Sequence, residues 1–231
     1  MKVHPFGTNI ISNLVKWNNN FKLDSLDLNE ESDTVIVLGD GTPDDISIFL
    51  IASKLNGKKA VYMLKPDDTR YSAANEIRTV LKSFNEKIVR FIFVVDQEKE
   101  ELSKIAKSFT GKLKELGIEI LREEKLQDRV DFFDSKLGSL EFKVYLVVNG
   151  LDEINTEAHA IEDHLLKCTQ KAGLPGPNLK GKTSKEVWKE LFKNKQSKEK
   201  EKILSKIYQE ALKAPKECFP QQYKALSLIE V

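Results

Sequence analysis

Thr34-Val35-Ile36-Val37-Leu38-Gly39-Asp40-Gly41-Thr42-Pro43-Asp44-Asp45 is the stretch whose reading decides the fold. Thr34 to Leu38 carry no charge and do not alternate, the pattern of a strand buried on both faces in a parallel sheet. Gly39 to Pro43 turn the chain. Ile46, Phe49, Leu50 and Leu55 then recur at helical spacing as far as Asn56-Gly57, where Gly57 is placed to cap a helix.

Working outward, the unit repeats. Ala60 to Leu64 reads as a strand, Lys65-Pro66-Asp67-Asp68 as a loop, and Ala73 to Phe84 as a helix with Ile77, Val80, Leu81 and Phe84 on one face. Val89 to Val95 is the most apolar strand and ends at Asp96. Glu100 to Leu116 is a helix, and Ile118 to Leu121 a fourth strand. Short connections between alternating strands and helices predict an α/β fold, a mainly parallel sheet flanked by helices. Val130 to Phe133 and Phe142 to Val148 are strand-like and separated by Gly138-Ser139, which suits a hairpin or an added edge pair. Asn149-Gly150 closes the second run, and Thr156 is expected to cap a helix running to about Lys171.

Three segments follow from this reading. Residues 1–32 hold an N-terminal helix (Ile10, Ile11, Leu14, Val15, Trp17) and a polar connector, and residues 33–172 the α/β domain. Residues 173–231, opened by Gly173-Leu174-Pro175-Gly176-Pro177, form a helical appendage too small to bury a core alone. Its expected helices are Lys185–Phe192, Lys200–Leu212 and Gln221–Leu228.

Composition narrows the class. With 231 residues, 40% hydrophobic and 32% charged, the chain can build a sizeable core, so disorder is excluded as its main state. No apolar run approaches the roughly 18 residues of a membrane-spanning helix. Cys168 and Cys218 belong to no C-x-x-C pair, which argues against thiolate zinc. Without a signal-peptide pattern, they suit a reduced, cytoplasmic setting. The net charge of +1 is unevenly spread: residues 180–217 hold twelve Lys and six Glu, residues 1–179 hold 24 basic and 29 acidic groups. The basic helices, with Trp188 and Tyr208 nearby, are a candidate surface for DNA or RNA, against the ordinary reading of a solvated helix face.

Carboxylates cluster just after three strands: Asp40, Asp44 and Asp45; Asp96 and Glu98; and Asp152, Glu153, Glu162 and Asp163. Ligands of open α/β sheets bind at the carboxyl edge of the strands. If the first and third strands are neighbours, Asp40 and Asp96 converge there. Like charges so placed raise one another's pKa unless a cation intervenes, and Mg²⁺ or Mn²⁺ suits hard oxygen ligands. A structural reading competes: Thr42 as N-cap, Pro43 at the first helical position, Asp44 and Asp45 favoured by the helix dipole, and Asp96 with Glu98 opening the next helix. On a helix, His159 shares a face with Glu162 and Asp163, a possible ligand pair. Ile161, Leu165 and Cys168 set the buried stripe, which leaves His159 and Asp163 exposed and Glu162 a candidate auxiliary group. Gly39-x-Gly41 lacks the third glycine of a dinucleotide fingerprint, since Asp44 stands there.

Asp40-Gly41-Thr42-Pro43-Asp44 after one buried strand and Asp96-Gln97-Glu98 after another resemble the TOPRIM (topoisomerase–primase) domain. Its pattern is a strand ending in Glu-Gly-x-x-Asp and a later strand ending in Asp-x-Asp, each followed by a helix. Ala160-Ile161-Glu162-Asp163-His164-Leu165 is similar to the Glu-Asp-Leu segment of a TOPRIM-like subgroup of uncharacterised prokaryotic proteins with further C-terminal helices. The resemblance covers roughly residues 34–171. It implies that Asp96 and Glu98 bind Mg²⁺ with help from Asp44, and that Asp40 moves a proton to or from the reacting oxygen. Glu162, Asp163 and His159 are auxiliary. The implied activity is phosphodiester hydrolysis or nucleotidyl transfer on nucleic acid. Asp40 replaces the family's Glu, and Glu98 its second Asp. Both departures keep charge but move a carboxylate by more than an ångström, a scale that matters for rate. The alternatives are a scaffold of this type that binds without turnover, and a non-catalytic Rossmann-like nucleotide- or protein-binding regulatory module.

Overall fold

The computed structural model describes residues 1–229 except 7, 30, 40–41, 56–58, 68–69 and 177–179, with only the backbone of Thr8, Asn9 and Thr42. Seven strands form one sheet: β1 (Lys2–Pro5), β2 (Thr34–Val37), β3 (Ala60–Leu64), β4 (Arg90–Asp96), β5 (Glu119–Gln127), β6 (Val130–Leu137) and β7 (Leu140–Asn149). Their order is β1-β3-β2-β4-β7-β6-β5. The first five in that order are parallel, and β6 and β5 add an antiparallel end. The fold is thus α/β with a mainly parallel sheet.

The helices are α1 (Thr8–Phe21), α2 (Thr42–Lys54), α3 (Glu76–Ser83), α4 (Leu102–Glu115), α5 (Ile161–Lys171), α6 (Ser184–Leu191), α7 (Ser197–Lys213), α8 (Pro215–Cys218) and α9 (Pro220–Ser227), with a 3₁₀ turn at Arg70–Asn75 before α3. Side chains alternate across the strands, so the sheet feeds two cores. Ile36, Met63, Ile92, Val94 and Val147 pack with Phe49 of α2, Leu165 of α5, and Ile207, Phe219 and Leu226 of the C-terminal helices. Val35, Val37, Phe91, Phe93 and Val148 pack on the other face with Ile77 and Val80 of α3 and Phe109 of α4. The C-terminal helices therefore share the core of the sheet, as their length requires.

Three sequence expectations change. The expected strand 118–121 starts one residue later, as the opening of the nine-residue β5, which among the described residues pairs only with β6, antiparallel, rather than continuing the parallel repeat. The two-residue turn Asp128-Arg129 permits a hairpin where a parallel partner would need a crossover helix. The edge strand β1 was not expected; its four residues alternate in burial and pair with β3. Helix α5 starts at Ile161, so Thr156 does not cap it; the Thr156 hydroxyl instead donates to Asp163. The proposed caps Thr42 and Gly57 lie outside the described side chains and residues, respectively. Among the described residues no helix is long and apolar enough to cross a membrane.

The topology marks one place for a ligand. The chain leaves β2 through α2 on one face, and leaves β4 through α4 on the other. β2 and β4 are neighbours, so their carboxyl ends part around a crevice, the switch point at which open α/β sheets bind ligands.

Candidate functional site

Asp96 ends β4 directly opposite Asn149, which ends β7. Asp44 lies in the first turn of α2, which follows β2. Three adjacent strands thus deliver two acids and an amide to one edge. The Asn149 side-chain nitrogen donates to Asp44 Oδ1 at 3.2 Å and to Asp96 Oδ1 at 3.0 Å. Its Oδ1 accepts from Gln222 Nε2 of α9 at 2.6 Å. Asn149 is fully buried, and this bridge uses both of its amide hydrogens.

Asp96 does not open α4. Its Oδ1 accepts the backbone N–H of Ile161, the first residue of α5, at 3.1 Å. That places a carboxylate at the positive end of a helix dipole. Its Oδ2 lies 3.0 Å from Lys185 Nζ, which also donates to Glu98 Oε1 at 2.6 Å. Lys185 belongs to α6, so the basic C-terminal region supplies a counter-charge to the acidic edge. Burial opposes the charge of Lys185, but its bonds to Glu98 and Asp96 prevail and hold its pKa above the usual range.

Glu98 has a left-handed backbone (φ 57°), an unusual state for a non-glycine residue. Its N–H donates to His159 O at 2.7 Å, and its carbonyl accepts from His159 N at 2.9 Å. This two-bond bridge fixes the end of β4 to the segment leading into α5. Gly150 permits the approach. At φ 130° a Cβ there would stand 2.6 Å from His159 Cβ.

Glu162 and Asp163 are buried rather than surface groups. Asp163 accepts from Leu151 N at 3.1 Å and Thr156 Oγ1 at 3.2 Å, and lies 2.6 Å from His159 Nδ1. The stripe reading that left Asp163 and His159 exposed fails because the chain from Leu151 to Ala160 folds over the start of α5; His159 is half-buried. Glu162 Oε2 is buried and, among the described residues, has no hydrogen-bond partner. Burial first, then the charge of Asp96, raises the Glu162 pKa to about 7. Asp44 is also raised well above the usual carboxylate range, by burial and then by Asp96 and Glu162. Asp45 rises to about 6 through burial, opposed by Lys65 Nζ at 3.6 Å.

Asp96, Asp44, Glu98 and Glu162 therefore assemble around one edge. Asp152 and Glu153 do not join them: they pair with Arg129 and Lys167. Asp40, assigned the proton-transfer role by the resemblance, lies outside the described residues. Among the described residues no three His, Cys, Asp or Glu side chains stand close enough to hold one metal ion. Tyr208, read as part of a nucleic-acid surface, is buried edge-on against Trp17 at 4.8 Å.

Sequence reasoning missed Asn149, Lys185 and Gln222. Asn149 carried a usable signal, a polar residue closing an apolar strand, as Asp96 does. Lys185 and Gln222 carried none, since they reach the site only through packing of the C-terminal helices. Comparison of the chain with protein-family models, with curated proteins and with solved structures finds no match.

Proposed function

We propose that this chain is a TOPRIM-like, Mg²⁺- or Mn²⁺-dependent enzyme that hydrolyses or transfers nucleic-acid phosphodiesters. The observation that carries the reading is the Asp44–Asn149–Asp96 bridge, with a buried oxygen of Glu162, unpartnered among the described residues, near the same charges. The donor set is all hard oxygen, and its mutual repulsion is what a divalent cation relieves. The donor chemistry suits such an ion, with Asp96, Glu98 and Asp44 as its holders, but these three side chains would have to draw closer together than they stand here to share it. The cation supplies charge neutralisation at a phosphoryl oxygen. Asn149 orients Asp44 and Asp96, Glu162 holds a proton near neutrality, and Asp40 acts as general acid or base. Lys189, Lys193 and Lys200 line a surface groove with Trp188 and Phe192, which suits a nucleic-acid backbone.

A second reading, the non-catalytic nucleotide- or protein-binding module, is favoured by a specific observation. Lys185 already neutralises Asp96 and Glu98, as a purely structural ion pair would. Isothermal titration with Mg²⁺ and Mn²⁺, beside Asp96→Ala and Asp44→Ala, separates the two. Saturable binding weakened at least tenfold by both substitutions, followed by cleavage of single- or double-stranded DNA or RNA, is the expected result. Absence of both binding and cleavage in the unaltered protein selects the binding module.

A further inference from the structure

We propose that the cavity beside Asp96 takes a phosphate group of the substrate, held by Arg70 and Lys185 of its lining. This deepens the reading above and rests on it. The cavity has a volume of about 210 Å³ and is lined by Gly39, Arg70, Val94, Val95, Asp96, Glu98 and Lys185. A water molecule's share of liquid volume is about 30 Å³, so there is room for a phosphate and part of what it is attached to.

Arg70 holds one anion, Glu100, and has room in its bonding for a second. Glu100 Oε1 accepts from Nη1 at 3.0 Å, while the Tyr71 hydroxyl donates to the other Glu100 oxygen at 2.9 Å. The guanidinium lies 5.1 Å from the Tyr71 ring centroid. Those contacts fix one end of the plane. Along the other edge, among the described residues, Nη2 has only a long 3.5 Å contact to the Tyr71 hydroxyl, and Nε is buried with no partner. A buried N–H left without an acceptor is costly; a small shift of the side chain toward the cavity would open the Nε/Nη2 edge, a fork that two phosphate oxygens match. The backbone of Arg70 is also left-handed (φ 52°), a strained state of the kind found where function requires a placement.

The lining also holds two carboxylates, Asp96 and Glu98, against the single ammonium of Lys185. A bare anion is disfavoured there, so the phosphate is expected to bind in company with a divalent cation. Arg70 then supplies the grip that does not depend on that cation's ligands.

Calorimetric titration of the full chain with inorganic phosphate, at saturating Mg²⁺ and again without metal, tests this in the unaltered protein, Arg70→Ala, Arg70→Lys and Asp96→Ala. Arg70→Ala is expected to weaken phosphate binding at least tenfold while Mg²⁺ titrated alone binds as before. Arg70→Lys keeps the charge but lacks the fork, and is expected to weaken phosphate severalfold even if the alanine variant does not fold. Phosphate binding that is undiminished in both Arg70 variants, or absent from a protein that binds Mg²⁺, overturns the proposal. If Mg²⁺ fails to bind the unaltered protein, the functional reading falls by itself. The metal-free titration then decides the cavity: Arg70-dependent phosphate binding supports it, and no binding overturns it.

Discussion

Gln222 Nε2 donates to Asn149 Oδ1 at 2.6 Å, across 73 residues of sequence. The same nitrogen lies 3.2 Å from His164 Nε2. His164 Nδ1 lies 2.8 Å from Cys218 O, and its Nε2 accepts from Gly150 N at 3.2 Å. The ring is therefore neutral, with its proton on Nδ1. Burial, first among the causes, pushes its pKa down to about 3. The C-terminal helices thus set the orientation of the amide that joins Asp44 to Asp96.

Replacing Gln222 with Ala leaves Asn149 Oδ1 buried without its donor. The expected cost is about 1–3 kcal/mol by urea denaturation. Asn149→Asp is expected to cost more, because it sets a third carboxylate against Asp44 and Asp96. Its deficit should be larger at pH 8 than at pH 5, and should shrink on adding Mg²⁺ if the proposed cation binds. Equal stability of Asn149→Asp and the unaltered protein at pH 8 contradicts the bridge.

The raised pKa of Glu162 fixes the sign of a pH effect. The unfolded side chain titrates near 4.5 and the folded one near 7. Between these values the native state keeps a proton that the unfolded state has lost, so this group's contribution to stability falls as pH rises through the window and then levels off. Glu162→Gln removes that dependence. The variant is expected to gain on the unaltered protein by on the order of 2–3 kcal/mol between pH 4 and pH 8, measured as the difference between two denaturation series. His164 titrates in both proteins, so its opposite trend below its unfolded pKa cancels. A difference that does not change with pH shows that Glu162 is not held protonated.

Gly150→Ala places a Cβ against His159 at a backbone angle that L-residues rarely adopt. Strain and overpacking together are expected to cost about 2–4 kcal/mol. The bridge between Glu98 and His159 should loosen too, seen as faster hydrogen exchange at both amides. Exchange unchanged at Glu98 would separate the glycine from the bridge.

The strands at the centre of the sheet were legible because burial on both faces writes a continuous apolar run: Ala60–Leu64 matches its strand, and Val89–Val95 is shifted by one residue at each end. β1 was not legible, since Lys2 and His4 interrupt its apolar positions and its partner β3 lies almost 60 residues away. The neighbouring of β2 and β4 meets the condition on which Asp40 and Asp96 were expected to converge, but Asp40 lies outside the described residues, and the acid found bridged to Asp96 is Asp44. The burial of Asp163 was not legible, because its partners, Leu151 N and the Thr156 hydroxyl, belong to a loop whose path no periodicity encodes. Lys185 was read as one charge in a basic helix, when packing carries it to the acidic edge.

Lys185 also decides between the two functional readings. Its ammonium bridges Asp96 and Glu98 at 3.0 and 2.6 Å, where a second cation and this one compete for the same oxygens. Lys185→Met keeps much of the side chain's packing and removes the charge. In the metal-dependent reading, Mg²⁺ is expected to bind on the order of fivefold more tightly, the equivalent of about 1 kcal/mol for a partly exposed pair. The thermal midpoint should fall without metal and recover with it, because Mg²⁺ then supplies the missing counter-charge. Should Lys185→Met lose stability with no recovery in Mg²⁺ or Mn²⁺, the lysine is the only cation these acids are built for, and the edge is an ion pair that joins α6 to the sheet.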